Sequence, residues 1–277
     1  RAIRSAQPRK LSRVSDGDTP VIEQPIRMVS CDTPEKAGYA GKPEISQPKL
    51  DKCRERLEGD FYNVIPLELR NYLIRKLVQD AAEKHIDAGN EATNEFNTLL
   101  EERLTRPDGS KRNVAVIPTG EIIDRYGRLL AYIAPWFSGH ADDVLPPKNS
   151  PERRTLNLDM IENGWAAFFP IYPSLPHNDD MNSAITASER AWSEGRGAWR
   201  TYGPDLLLGY EYRACIKLGV ATDAAAGIAD AFQRICVDLR NLRILGKYDF
   251  HKVPPCYRLW IWERDITQAK RDLELGN

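Results

Sequence analysis

Apolar residues between Leu67 and Ile86 recur in steps of four: Leu69, Leu73, Leu77 and Ala81, with Ile74 and Val78 beside them. That step keeps one helical face apolar, so a helix is predicted over 67–86. Gly89-Asn90 reads as an interruption, and Phe96, Leu99, Leu100 and Leu104 as a second helix ending before the turn Pro107-Asp108-Gly109. Nearer the start, Val21-Ile22 and Ile26 to Val29 read as two short strands, kept edge-like by Pro20 and Pro25. Residues 36–66, rich in Gly, Pro and Lys, read as a long loop. Val114 to Ile117 and Leu129 to Ile133 read as strands on either side of Asp124-Arg125-Tyr126-Gly127-Arg128, and 156–167 and 183–199 as helices. Past Gly203-Pro204 the strand signal stops. Leu207, Tyr210, Ala214 and Leu218 mark one helix, which Gly219 terminates. Ile228, Phe232, Ile235, Leu239 and Leu242 mark another, closed by Gly246, and Leu259, Trp262, Ile266, Ala269 and Leu273 a third. A boundary is placed near residue 201, and no internal repeat is evident.

The 277 residues, 42% of them hydrophobic, suffice for one large domain or a domain with an appendage. A net charge of −1 gives no global field for nucleic acid, so any attraction for phosphate must be local. Arg1, Arg4, Arg9, Lys10 and Arg13 carry the first thirteen residues without an acid, as a solvated tail or a substrate-guiding arm. Five cysteines without a CxxC pair argue against a zinc ribbon, and Cys31 reads as a small buried residue rather than a nucleophile. The odd thiol count leans towards an intracellular setting. Because the chain starts at Arg1 and not Met, a removed leader and an exported form stay open. No run reaches membrane-spanning length.

The chemistry concentrates in three short stretches: Asp16-Gly17-Asp18-Thr19, then Arg27 followed by Asp32-Thr33-Pro34-Glu35, then Asp124 to Arg128. Carboxylates suit a hard cation such as calcium or magnesium, and the lack of a His/Cys cluster argues against zinc. Asp18 and Asp32 are the expected direct ligands. Asp16 is placed to orient a ligand or water, while Gly17 and Thr19 let the backbone turn closely around the ion. Glu35 can take a proton from a water, and Arg27 and Arg128 offer rigid forks that match phosphate oxygens as charge develops there. Tyr126 and Tyr172 are candidates to stack on a base or bond a phosphate. Singly, each stretch is ordinary: a turn, a helix cap, a hairpin, a surface ion pair. The ordered set points to metal-dependent phosphodiester hydrolysis. His177-Asn178-Asp179-Asp180 reads as a polar loop capping the next helix, and Tyr257, Trp260 and Trp262 as packing of the tail.

That ordered set, with Leu129 to Ile133, Leu156-Asn157, Asn163-Gly164-Trp165-Ala166, Ser188-Glu189 and Ala198-Trp199, resembles the staphylococcal nuclease (thermonuclease) family over about residues 14–200. The resemblance implies an α+β fold: a five-stranded OB-type β-barrel with packed helices, here with an insertion over about 36–110 and an all-helical C-terminal extension over 201–277. It implies calcium, with magnesium or manganese as alternatives, held by Asp18, Asp32 and the Thr33 carbonyl. Glu35 is the implied base or water-positioner, and Arg27 and Arg128 the implied phosphate ligands. The implied reaction is hydrolysis of DNA or RNA that leaves 3′-phosphate ends. The Asp18–Arg27 stretch is short for the family, and Pro170 stands where a substrate-contacting tyrosine is expected, with Tyr172 matching a second one. A silent nucleic-acid- or protein-binding scaffold of the same fold is the alternative, and 201–277 is a candidate for self-association or a protein partner.

Overall fold

The computed structural model describes residues 8–141, 143–148 and 150–276. Strands β1 (Leu11–Asp16) and β2 (Thr19–Ile22) form an exposed antiparallel hairpin that pairs with no other strand among the described residues. Then come β3 (Ile26–Met28) and β4 (Ser30–Asp32). Ser30, the first residue of β4, has φ of +58°, a left-handed conformation that costs a non-glycine residue about 1–2 kcal/mol. The kink re-aims the strand. Before it, β3 runs parallel to β6 (Leu129–Pro135), whose other edge pairs with β5 (Val114–Ile123). After it, β4 pairs antiparallel with β7 (Ala167–Phe169). The strands expected to form one barrel are thus divided among separate sheets, and none of the described sheets closes on itself.

Helices α1 (Ala37–Ala40), α2 (Pro43–Glu58), α3 (Leu67–Lys76) and α4 (Ala81–Leu104) follow β4. The expected loop over 36–66 is mostly α2. Pro43 sits in its first turn, where the missing N–H costs nothing, and Ser46, Leu50, Cys53 and Leu57 form its buried stripe. The expected break at Gly89 is absent as well. A Cβ on Gly89 would lie 2.6 Å from the Glu35 carbonyl oxygen, so glycine is required there to let the Glu35 backbone rest on α4.

Helix α5 (Leu156–Glu162) places Asn157 so that its amide accepts the Ile133 N–H at 3.1 Å and donates to the Val29 carbonyl at 2.9 Å. After β7 come β8 (Ile171–Tyr172), α6 (Asn178–Ser193) and α7 (Ala198–Tyr202). The C-terminal segment holds α8 (Gly209–Val220), α9 (Ala224–Ala231), β9 (Arg234–Asp238), β10 (Arg243–Gly246), β11 (Arg258–Trp262) and α10 (Ile266–Asp272). It is therefore not all-helical. The sheet order β10-β9-β11-β8 ties it to Ile171-Tyr172. The runs Ile235-Cys236-Val237, half-buried at Ile235 and buried beyond it, and Leu259-Trp260-Ile261, buried throughout, are strands whose continuous apolarity carries no period of two.

One core joins the insertion to the C-terminal segment: Leu50, Leu57, Tyr62, Leu69 and Leu73 pack with Leu207, Tyr212, Cys215, Leu218 and Trp260. Glu211 is buried among them. It receives Lys76 Nζ at 2.8 Å, the Tyr72 hydroxyl at 2.6 Å and the Leu208 N–H at 3.1 Å, with Arg258 3.5 Å away. Burial alone would raise the Glu211 carboxyl, but Lys76 and Arg258 outweigh it and hold the pKa below its ordinary value. Glu211→Ala strands two buried cations, and should lower unfolding free energy by about 3–5 kcal/mol in urea titrations. A loss under about 1 kcal/mol would show that water reaches the cluster.

Candidate active site

Parallel pairing of β3 with β6 sets Arg27 opposite Leu130, two residues past Arg128. The turn before β6 is built by Asp124. One of its oxygens accepts the N–H groups of Tyr126 and Arg128 at 2.9 Å, and the other accepts Arg128 Nε at 2.8 Å. Gly127, at φ of +77°, completes the turn. Burial would raise the Asp124 carboxyl, yet the hydrogen bonds and charge of Arg128 keep it lowered and ionised. Tyr126 stays 60% exposed under Arg125 and Arg128, whose guanidinium carbons lie 4.9 and 5.3 Å from its ring centre. Of the basic residues near the start, Arg1 and Arg4 lie outside the described residues. Arg9 donates to the Gly127 carbonyl and to Gln24, and Lys10 to Glu23 at 2.6 Å.

Beyond the Ser30 kink, Asp32 is 1% exposed. Arg27 donates to Oδ1 at 2.9 Å, while Arg213 from α8 bonds Oδ1 at 3.1 Å and Oδ2 at 2.9 Å. The other arm of Arg213 donates to Glu35 Oε1 at 2.5 Å. Burial pushes the Asp32 carboxyl up, but Arg213 and then Arg27 more than reverse it. The same carboxylates raise Arg213 against the burial that would lower it. Behind Glu35 stands His85 of α4. Its Nε2 accepts the Glu35 N–H at 2.8 Å, so the assigned tautomer donates from Nδ1 to the Leu207 carbonyl at 3.0 Å. Tyr212 stacks on the ring at 3.9 Å.

Arg27, Glu35, Arg128, Tyr126 and Tyr172 all line one cleft of about 1130 Å³. Tyr172 is nearly buried and its hydroxyl donates to Asp272, so it is a wall of the cleft more than a free phosphate donor. Cys31, also in the wall, is buried and its thiol is pushed up to about 12, which removes it as a thiolate nucleophile. Asp16, Asp18 and Thr19 are not in the cleft. They sit in the exposed β1–β2 turn, where Thr19 donates to Asp18 and the Asp18 N–H to Asp16.

The residues present do not fit the expected calcium ion. Both oxygens of Asp32 are taken by guanidinium groups. A Cβ on Gly209 would lie 2.6 Å from Asp32 Oδ2 and 2.6 Å from the Thr33 carbonyl oxygen, so the first residue of α8 covers both expected ligand atoms. Among the described residues, no group of three or more His, Cys, Asp or Glu is placed to hold a metal.

The cleft is thus lined by several arginines, among them Arg27, Arg125 and Arg128, beside the Asp32–Arg213–Glu35 cluster. A family profile described as staphylococcal nuclease homologue matches residues 25–201, well over half the chain, and the chain belongs to that family. The family implies an OB-type fold for the matched segment, and its members are typically nuclease hydrolases that act on nucleic acid. No curated protein shows a significant match to the chain. Asp16, Asp18 and Thr19 precede the matched segment, and Gly209 and Arg213 follow it.

Arg213 and His85 escaped the sequence reading. His85 stands four residues after Ala81 on the predicted apolar stripe, and a polar residue there was a legible signal. Arg213 borders the stripe of α8, and nothing local marks its partners 181 and 178 residues away.

Two measurements follow. Calcium titrated calorimetrically into the full chain should show no saturable binding tighter than about 10⁻³ M. A micromolar dissociation constant would show that the ion displaces Arg213. Burial holds His85 neutral with its pKa near 3, below the ordinary value of 6.5. The unfolded chain therefore takes up this proton first, and stability falls as pH drops from about 6.5 towards 3. The slope is at most about 1.4 kcal/mol per pH unit from this group. His85→Gln should flatten the urea-midpoint profile between pH 7 and 5, and an unchanged slope would mean that His85 is solvated.

Proposed function

We propose that this chain is a nuclease, hydrolysing phosphodiester bonds of single-stranded DNA or RNA in the arginine-lined cleft. The observation that carries this reading is the convergence of Arg27, Glu35 and Arg128 on one cleft, although Arg128 lies about a hundred positions along the chain from the other two. Arg27 and Arg128 bind the non-bridging oxygens of the attacked phosphate and stabilise the charge they gain. Arg213 occupies Glu35 Oε1, leaving Oε2 to accept the proton of a water. The water oxygen bonds to phosphorus and the bond from phosphorus to the 5′ oxygen breaks. That oxygen takes a proton from solvent, giving a 3′-phosphate and a 5′-hydroxyl. Calcium is left out of this scheme, because Asp32 is engaged by Arg27 and Arg213, α8 packs against the Thr33 carbonyl, and Asp18 stands in the exposed β1–β2 turn.

A second reading has its own support. Arg213 neutralises both Asp32 and Glu35, as befits a module that binds polynucleotide without cutting it.

Cleavage of end-labelled single-stranded DNA and RNA, with calcium, with magnesium and with chelator, separates the two. Cutting should leave 3′-phosphates, and Glu35→Ala and Arg128→Ala should each slow it by about 10²–10³-fold. Full turnover in either variant would remove that residue from the scheme. Tight oligonucleotide binding with no cutting under any condition would establish the binding module.

A further inference from the structure

Arg234 opens β9 in the C-terminal segment and lines the same cleft as Arg27, Glu35 and Arg128. Its guanidinium carbon lies 4.1 Å from the centre of the Trp262 ring and 5.4 Å from that of Phe169, so two aromatic faces hold it in place. Its Nε is buried and has no hydrogen-bond partner. No carboxylate forms an ion pair with it among the described residues, in contrast to Arg27 and Arg128, which each have one, and Arg213, which has two. Its strongest charged neighbours are mostly like-signed: Arg213, Arg27 and Arg125 oppose it, and Asp32 favours it. Burial and these neighbours bring its pKa down to about 10, which still leaves it charged at neutral pH.

A half-buried guanidinium with an unused Nε donor and like-charged neighbours is an unfavourable arrangement for the protein alone. It becomes favourable once an anion enters the cleft. Lys217 and Arg264 line the same cleft, where Asp230 and Glu263 are engaged by Lys217 and Lys247. The ligand class is therefore a phosphate group presented beside an aromatic surface. A polynucleotide offers such groups at every residue, and Arg27 and Arg128 can hold only one of them at the reacting position.

We propose that Arg234 forms a second phosphate subsite, gripping a backbone phosphate of the same strand whose neighbouring phosphate is held by Arg27 and Arg128. The subsite deepens the nuclease reading and rests on it for the identity of the strand. It makes Arg234 and Trp262 part of the substrate channel, and it requires a ligand longer than a dinucleotide to engage the cleft fully.

The test uses the full chain with oligodeoxythymidylates of two, four and eight nucleotides, measured by fluorescence anisotropy at several salt concentrations. In the wild type, affinity should climb from dinucleotide to tetranucleotide. Arg234→Gln should weaken octanucleotide binding about tenfold, abolish most of that climb, and lower the salt slope by about 0.7. Arg234→Lys should keep the salt slope while losing part of the affinity. Unchanged affinity and slope in Arg234→Gln, with the wild type binding and cutting normally, would overturn the subsite and leave the nuclease reading standing. A parallel arm titrates inorganic phosphate against chloride at equal ionic strength and follows the melting temperature. Phosphate should stabilise the wild type more than Arg234→Gln. If it does so while no oligonucleotide binds, the subsite survives and the nuclease reading falls. Equal phosphate stabilisation of both proteins would overturn the subsite independently of any nucleic acid.

Discussion

Asp32 carries its charge where water scarcely reaches, and guanidinium groups keep it there: Arg27 on one oxygen and Arg213 across both. An isolated buried carboxylate would cost several kcal/mol, so this cluster constrains everything around it. Arg213 must reach the site, which requires α8 to arrive with Gly209 against the Asp32 carboxylate and the Thr33 carbonyl. Helix α8 in turn needs α2 and α3 as its apolar bed, and the buried Lys76–Glu211 pair to fix it. The insertion and the C-terminal segment are thus the scaffold that brings a cation to the family's carboxylates.

How far the sequence revealed this depended on the range of each interaction. The Asp124-to-Arg128 turn was legible because Asp124 binds residues two and four positions away. Strands β5 and β6 were legible because that turn joins them. Helix α2 was hidden by Pro43 and Pro48, although Leu50, Cys53 and Leu57 already carried a helical stripe. Gly89 was taken for a break because its purpose, a close seat for the Glu35 carbonyl, lies 54 positions upstream. Strands β9 and β11 passed for helices because Ile235, Leu239 and Leu242, and likewise Leu259, Trp262 and Ile266, fall at three- and four-residue steps by coincidence, while their continuous burial has no period to detect.

The candidate site divides the same way. Residues carrying motif chemistry, namely Arg27, Asp32, Glu35 and Arg128, were visible as short stretches; Arg27, Glu35 and Arg128 line one cleft, and Asp32 is buried behind Arg27 and Arg213. Those that set its electrostatics, Arg213 and Arg234, come from outside the family-matched segment and have no local signature. Asp16, Asp18 and Thr19 have the right residue types, yet their hairpin stands apart from the cleft because β1 and β2 pair only with each other among the described residues. Composition alone does not make a ligand set; the strand pairing has to deliver it.

The span of the core carries a consequence for how the molecule is made. Arg56 donates to the Leu218 and Gly219 carbonyls, and Tyr62 to that of Leu218, across more than 150 residues of chain. During synthesis, Leu50, Leu57, Leu69 and Leu73 lack their apolar partners until residues 207–218 have left the ribosome, an interval of order ten seconds at about 5–20 residues per second. Through that interval the nascent chain presents a sticky helical surface, the kind that chaperones hold. Asp32 and Glu35 also wait for Arg213, so this charged cluster assembles only after α8 has docked.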